Sequence, residues 1–193
     1  MIGITGVARS GKDTLYKLLE KRFSQSNIKC QRFALADNLK NDLRSFILEK
    51  FDINIDNVSQ EDKELIRPIM VAYGKCKRLK TNGRYWIDLL NNDLDKNNLL
   101  PIVTDIRYDE YEKDEYFWLK KEKLGILIHI TRIFNGKVIE PANDEEYRNN
   151  KKLYEKADYK FIWCTESDLG LLYENNLNIL EEIYQIYARS RIN

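Results

Sequence analysis

Gly6-Val7-Ala8-Arg9-Ser10-Gly11-Lys12, followed by Asp13-Thr14, is the stretch that decides the fold. The spacing is G-x-x-x-x-G-K, that of a phosphate-binding loop (P-loop), with Asp13 standing where Ser or Thr is the rule. Its surroundings come in the order the chemistry needs. Met1-Ile2-Gly3-Ile4-Thr5 reads as a short buried parallel strand. After the loop, Leu15, Leu18, Leu19 and Phe23 recur at helical spacing. Strand, glycine loop and helix together aim backbone N–H groups and a positive helix end at one anion. Gly6 and Gly11 allow the close approach, and Lys12 can bridge the outer phosphates. The candidate phosphate-binding residues are therefore Gly6, Ala8, Arg9, Ser10, Gly11, Lys12, Asp13 and Thr14. Read blandly, the same run is a glycine-rich strand-to-helix turn.

At 193 residues the chain is expected to form one domain with a sizeable core. Lys and Arg number 32 against 31 Asp and Glu, for a net charge of +1. That balance gives no electrostatic case for nucleic acid or an anionic membrane. No apolar run reaches the length of a membrane span. The chain enters a strand at once, which reads as a cytoplasmic protein, host-cytoplasmic if viral. Cys30, Cys76 and Cys164 are scattered and odd in number, as reduced thiols are.

Outward from the loop, strand-like segments alternate with helical ones. Residues 31–35 form a second strand by composition. Residues 36–98 carry no convincing strand and read as a helical insertion, with helices around Leu39, Leu43, Phe46 and Ile47, around Leu65, Ile69 and Ala72, and around Trp86, Leu89 and Leu90. Strands are expected at 99–105, 125–131 and 159–164, with a charged helix over 108–123. Residues 133–150 read as a polar, irregular segment and candidate lid. A closing helix takes its apolar face from Leu172, Leu180, Ile183, Tyr184 and Tyr187. The pattern predicts a three-layer α/β domain around a parallel sheet of about five strands. Ligands then bind beyond the carboxyl ends of those strands.

That rule selects further candidates. Asp105 ends the third strand, where a carboxylate could support a Mg²⁺ that bridges nucleotide phosphates. It could equally be a strand-end salt bridge or a helix cap. Arg107 could grip a second phosphate. Asp37 follows the second strand and is a good N-cap for the next helix; Lys40 is solvated or touches phosphate. Arg67, Arg78 and Arg84 belong to a basic run before Trp86, suited to clamping a second phosphorylated substrate. Arg132 and Arg148 flank the candidate lid, whose closure would bring cations to a transferring phosphoryl group. His129, the only histidine, lies inside an apolar strand and reads as a core residue.

Three stretches together, Gly6 to Thr14, Phe33-Ala34-Leu35-Ala36-Asp37-Asn38-Leu39-Lys40 and Val103-Thr104-Asp105-Ile106-Arg107-Tyr108, resemble the bacteriophage deoxynucleoside monophosphate kinases. The likeness lies in a loop ending Gly-Lys-Asp-Thr, a segment that opens Phe-Ala and closes Leu-Lys, and an Asp-x-Arg after the third strand. It implies a P-loop kinase fold that uses ATP and Mg²⁺ to convert a deoxynucleoside monophosphate (dNMP) to the diphosphate, and it is compatible with a homodimer. By that resemblance Gly6 to Thr14 hold the ATP phosphates and Asp105 and Arg107 sit between the two phosphates; with the lid position of Arg132 added, Lys12, Asp105, Arg107 and Arg132 are the catalytic set. Arg148 joins the ATP site, Asp37, Lys40, Arg67, Arg78 and Trp86 face the acceptor, and Asp13, Thr14 and Asp105 attend the metal. The alternatives are another small-molecule kinase, of the phosphomevalonate or dephospho-coenzyme A kind, and a nucleotide-binding module without turnover.

Overall fold

The computed structural model describes residues 1–94, 99–164 and 169–189, the last stretch with side chains from residue 175 onward. The elements run β1 (Ile2–Thr5), α1 (Lys12–Ser24), β2 (Cys30–Phe33), α2 (Leu35–Phe51), α3 (Gln60–Lys80) and α4 (Tyr85–Leu94). There follow β3 (Leu100–Val103), α5 (Glu115–Phe117) with a π-helical continuation over Trp118–Glu122, β4 (Ile126–Phe134), β5 (Lys137–Val138), α6 (Asp144–Lys156), β6 (Tyr159–Cys164) and α7 (Leu169–Arg189). Five strands are parallel, in the order β2-β3-β1-β4-β6, and β5 pairs antiparallel with the end of β4. This is a mixed α/β fold with a mostly parallel central sheet flanked by helices.

Strand alternation sends side chains to two apolar layers. Ile2, Ile4, Ile102, Ile128, Ile130 and Phe161 pack against Leu15, Leu19 and Phe23 of α1 and Leu180 and Ile183 of α7. On the other face Val103 and Leu127 meet Leu35 of α2, Trp86, Ile87 and Leu90 of α4, Trp118, Leu119, and Leu153 of α6. A third cluster joins Leu43 and Ile47 of α2 to Ile66 of α3. Truncating a core leucine such as Leu19 to alanine costs about 2–5 kcal/mol in layers packed this way. Leu172 lies outside the residues whose side chains are described.

Several expectations are corrected. Residues 108–123 are helical only from Glu115. Before it the chain loops, because the Asp114 carboxylate accepts from the backbone N–H groups of Glu110 (3.0 Å), Tyr111 (3.3 Å) and Glu115 (3.0 Å). A carboxylate spent on nearby N–H groups favours the loop over the helix. Single positions on α2 and α3 also differ from expectation. Ile66 is buried while Leu65 is 65% exposed, and Phe46 is 45% exposed.

The candidate lid is ordered rather than irregular. β4 runs on to Phe134 and turns at Asn135-Gly136, both left-handed with φ 51° and 69°, into β5. Asn-Gly is the residue pair a two-residue hairpin favours. Ile133 pairs with Cys164 of β6 and with Val138 of β5. β5 therefore lies on the edge of β4 that β1 uses further back, just beyond the carboxyl end of β1. α6 then starts at an Asn143 cap, whose Oδ1 accepts from Glu146 N at 2.9 Å. No helix among the described residues is long and apolar enough to cross a membrane.

Candidate functional site

The glycine loop sits at the carboxyl end of β1, the central strand. A Cβ on Gly6 (φ 141°) would lie 2.4 Å from Ile130 O, so the loop is pressed onto β4 where only glycine fits. Arg9 and Gly11 take left-handed φ of 63° and 95°, bending the chain into α1. Gly11 offers no side chain to cap that helix, so its first turn and positive dipole end face the mouth of the loop. Lys12 Nζ folds over the loop, donating to Gly6 O (2.9 Å) and Val7 O (2.7 Å). Burial holds the Lys12 ammonium down at about 8; Arg107 adds to the fall, while Asp105, Glu146 and Asp13 oppose it.

Two buried polar side-chain atoms among the described residues lack a hydrogen-bond partner, and both belong to this region: Ser10 Oγ and Arg132 Nε. Arg132 reaches the loop from β4, with Nη1 donating to Arg9 O at 3.2 Å. Arg107 is exposed beyond β3, and its charge acts on Lys12. Its backbone N–H and that of Tyr108 donate to Glu115 Oε2 at 2.6 and 3.1 Å, which fixes where the guanidinium departs from the loop. The Lys12 ammonium and the Arg132 guanidinium thus meet on the loop's carbonyls, and the charge of Arg107 reaches Lys12.

Asp105 is buried, with Oδ1 accepting from Leu35 N and Oδ2 from Ala36 N, both at 2.8 Å. It caps α2, the alternative the sequence left open, and it displaces Asp37 from that expected role. Ala34 is the N-cap residue, and Asp37 lies in the first turn, paired with Arg32 at 3.0 Å and Lys40 at 4.0 Å. Arg32, missed in the sequence, also holds Asp13 at 3.0 Å and so spans the starts of α1 and α2. Thr14 is exposed on the first turn of α1.

Two acceptor candidates are overturned. Arg78 is buried, its guanidinium fork-paired to Asp114 at 2.9 and 2.9 Å, near Glu110 (3.2 Å) and Glu115 (3.4 Å), and stacked 3.5 Å from the Tyr108 ring. Burial disfavours both charges, yet the pairing raises Arg78 and keeps Asp114 below the ordinary carboxylate range. Burial pushes the Glu115 carboxyl up to about 8, against the pull of Arg78. Losing one partner of such a network costs about 3–5 kcal/mol, so Arg78 fastens α3 to the loop after Arg107 rather than touching substrate. Trp86 is 4% exposed, with Nε1 donating to Gly74 O at 3.4 Å, and cannot stack on a base. Arg67 pairs with Glu64 of its own helix at 3.5 Å.

At the lid, the residue brought to the loop is an anion. Glu146 Oε1 accepts from Ala8 N at 3.0 Å and Oε2 from Ala142 N at 2.7 Å. Arg148 is exposed, and two residues along a helix from Glu146 it projects about 200° away. It is corrected from site residue to surface residue. His129 is the core residue expected, its Nε2 bonded to Asn150 Oδ1 at 2.9 Å and its charged form disfavoured by burial. A cavity of about 250 Å³ lies between β4, β5 and α6, lined by Val7 of the loop, His129, Arg132, Tyr147 and Tyr154.

No protein-family model matches the chain. No curated protein matches it. Among solved structures it is similar to the crystal structure of TT1252 from Thermus thermophilus, at 15% identity and a TM-score of 0.45, over 94% of this chain and 96% of that one. A likeness at this level bears on neither activity nor site.

Proposed function

We propose that the chain is an ATP-dependent phosphotransferase whose acceptor is a deoxynucleoside monophosphate, with the deoxynucleoside diphosphate and ADP as products. The observation that carries the phosphate half is the loop itself. Its glycines are held in left-handed or extended turns against β4, Lys12 lies at the open end of α1, and the orphaned Ser10 Oγ and Arg132 Nε belong to the same region. Phosphoryl transfer asks for little beyond positioning and charge neutralisation, and this mouth supplies both.

In this reading Lys12 leaves Gly6 O and Val7 O for the β/γ oxygens. Arg107, free of any ion pair among the described residues and pinned at its backbone by Glu115, stabilises charge on the transferring group. Arg132 holds the loop shape through Arg9 O. Asp13 or Thr14 would hold Mg²⁺ together with the nucleotide phosphates, and the ion would neutralise charge there. That suits a cation usually bound by one or two protein groups plus phosphates and water. Asp105 acts by fixing the start of α2 beside the loop.

The dNMP half rests on the sequence resemblance and on the helical layer of α2, α3 and α4 that follows β2. The burial of Trp86 and Arg78 removes two groups expected to read a nucleotide, which favours the second reading, a kinase of another small phosphorylated acceptor. A coupled assay of ADP release over a panel of dNMPs, phosphomevalonate and dephospho-coenzyme A separates them. ADP release that depends on a dNMP supports the first reading. Release only with another acceptor supports the second, and ATP binding without release in any arm makes the chain a binding module.

A further inference from the structure

The strongest contact outside the expected machinery is the one between α6 and the glycine loop. Asn143 and Glu146 stand at the N-cap and third helical positions of α6, the spacing of a capping box. In that box the glutamate turns back to the N-cap's own N–H. Here Asn143 makes its half of the box, bonding Glu146 N at 2.9 Å. The glutamate's own carboxylate instead joins Ala142 N at 2.7 Å with one oxygen and Ala8 N at 3.0 Å with the other. A carboxylate has thus been placed on a backbone donor of an anion-binding loop, near enough to Lys12 to help hold its charge.

We propose that Glu146 is a resident anion of the loop. It holds the Ala8 N–H that a phosphate would otherwise take, and it withdraws with the first turn of α6 when a polyphosphate enters. The proposal rests on the phosphate-site reading above. An incoming triphosphate and the Glu146 carboxylate carry the same sign and compete for the same amide, so they do not share it. The rest of α6 is anchored separately. Asn149 Nδ2 donates to Glu110 Oε1 at 3.0 Å, Asn150 holds His129 at 2.9 Å, and Leu153 is in the core. Release therefore concerns the segment from Glu140 to Glu146, held otherwise by the β5 pairing with β4 before it, where Ile139 N donates to Arg132 O at 2.9 Å, and by the exposed Lys75–Glu145 pair at 3.4 Å. The loop reports its occupancy to the start of α6 through this one side chain.

The test is ATP binding by calorimetry to wild type, Glu146→Ala, Glu146→Asp, Glu145→Gln and Lys12→Ala, with hydrogen exchange followed over residues 137–147. Glu146 is part-exposed, and a circular-dichroism melt checks that each variant is folded. Glu146→Ala is expected to bind ATP about three- to tenfold more tightly than wild type, because a competing charge-assisted hydrogen bond is gone. Glu146→Asp keeps the charge but not the reach, and it is expected to follow Glu146→Ala. Glu145→Gln is expected to match wild type. ATP should speed exchange over 137–147 in wild type and leave it unchanged in Glu146→Ala. Wild type that binds ATP through Lys12, with Glu146 variants no tighter, overturns the resident-anion proposal alone. Wild type that binds ATP no better than Lys12→Ala overturns the phosphate-site reading, and the proposal with it.

Discussion

Two helices begin at the same edge of the sheet, and they begin differently. α1 starts at Gly11, which has no side chain to offer, and no side chain among the described residues accepts from its first turn. α2 starts at Ala34, and a buried carboxylate from the next strand, Asp105, takes the N–H groups of Leu35 and Ala36. Both starts carry the same positive dipole end. One is satisfied from within the protein and is architecture. The other has no side-chain cap, and Glu146 touches the loop only at Ala8. The sign of a helix start does not make a site; what already occupies it does.

The largest effect expected on this contrast is at α1. Lys12→Ala should lower phosphotransfer by about 10²- to 10³-fold in a coupled ADP assay, the usual scale for losing one charge-stabilising donor. Its folding stability in urea should not fall, because a buried ammonium held down at about 8 opposes folding. Next comes α2. Asp105→Ala should lower unfolding stability by about 1–3 kcal/mol in urea, the cost of orphaned buried donors, while ATP affinity measured by calorimetry changes only a fewfold. Intact stability with collapsed Mg·ATP affinity would instead place Asp105 at the metal and erase the contrast.

The third effect is in pH. The Lys12 pKa of about 8 lies below its ordinary 10.5, so between those values the unfolded chain binds more protons than the folded one. Stability gains from this group as pH rises through that window. A bound polyphosphate favours the charged lysine, so ATP affinity should fall up to about tenfold per pH unit above 8. Lys12→Arg should flatten that slope in a calorimetric pH series, since arginine stays charged. The smallest effect is at the half-buried Asp37. Asp37→Asn breaks its Arg32 pair and should move stability in a thermal melt by less than about 1 kcal/mol. A selective rise in the acceptor KM would bring Asp37 into the acceptor site.

Much of the frame was legible. β1, the loop, α1 and the 159–164 strand follow from local signals: β-branched runs, glycine spacing and a helical apolar stripe. The loop's conformation was readable because glycine spacing marks its backbone turns. Less legible were residues whose roles depend on distant partners. Arg78 reads as a phosphate clamp until Asp114 and Glu115, brought in by the chain's own folding, consume it. Trp86 reads as a base platform until Gly74 and Tyr73 cover it. Asp105 reads as a metal ligand or a cap, and only the position of Leu35 decides between them. Two signals at the lid are present in the residues. Asn135-Gly136 marks the hairpin, and Asn143 with Glu146 marks the start of α6. The reach of Glu146 to the loop carried no signal, because its Ala8 partner is 138 residues away.

The measurement that tests the central claim most directly is acceptor-dependent ADP release with Mg·ATP, wild type beside Lys12→Ala, over the dNMP panel. The account predicts release that requires a dNMP and is lost in the variant by about 10²-fold or more. ADP release indifferent to every dNMP, or equal in the two proteins, would contradict it.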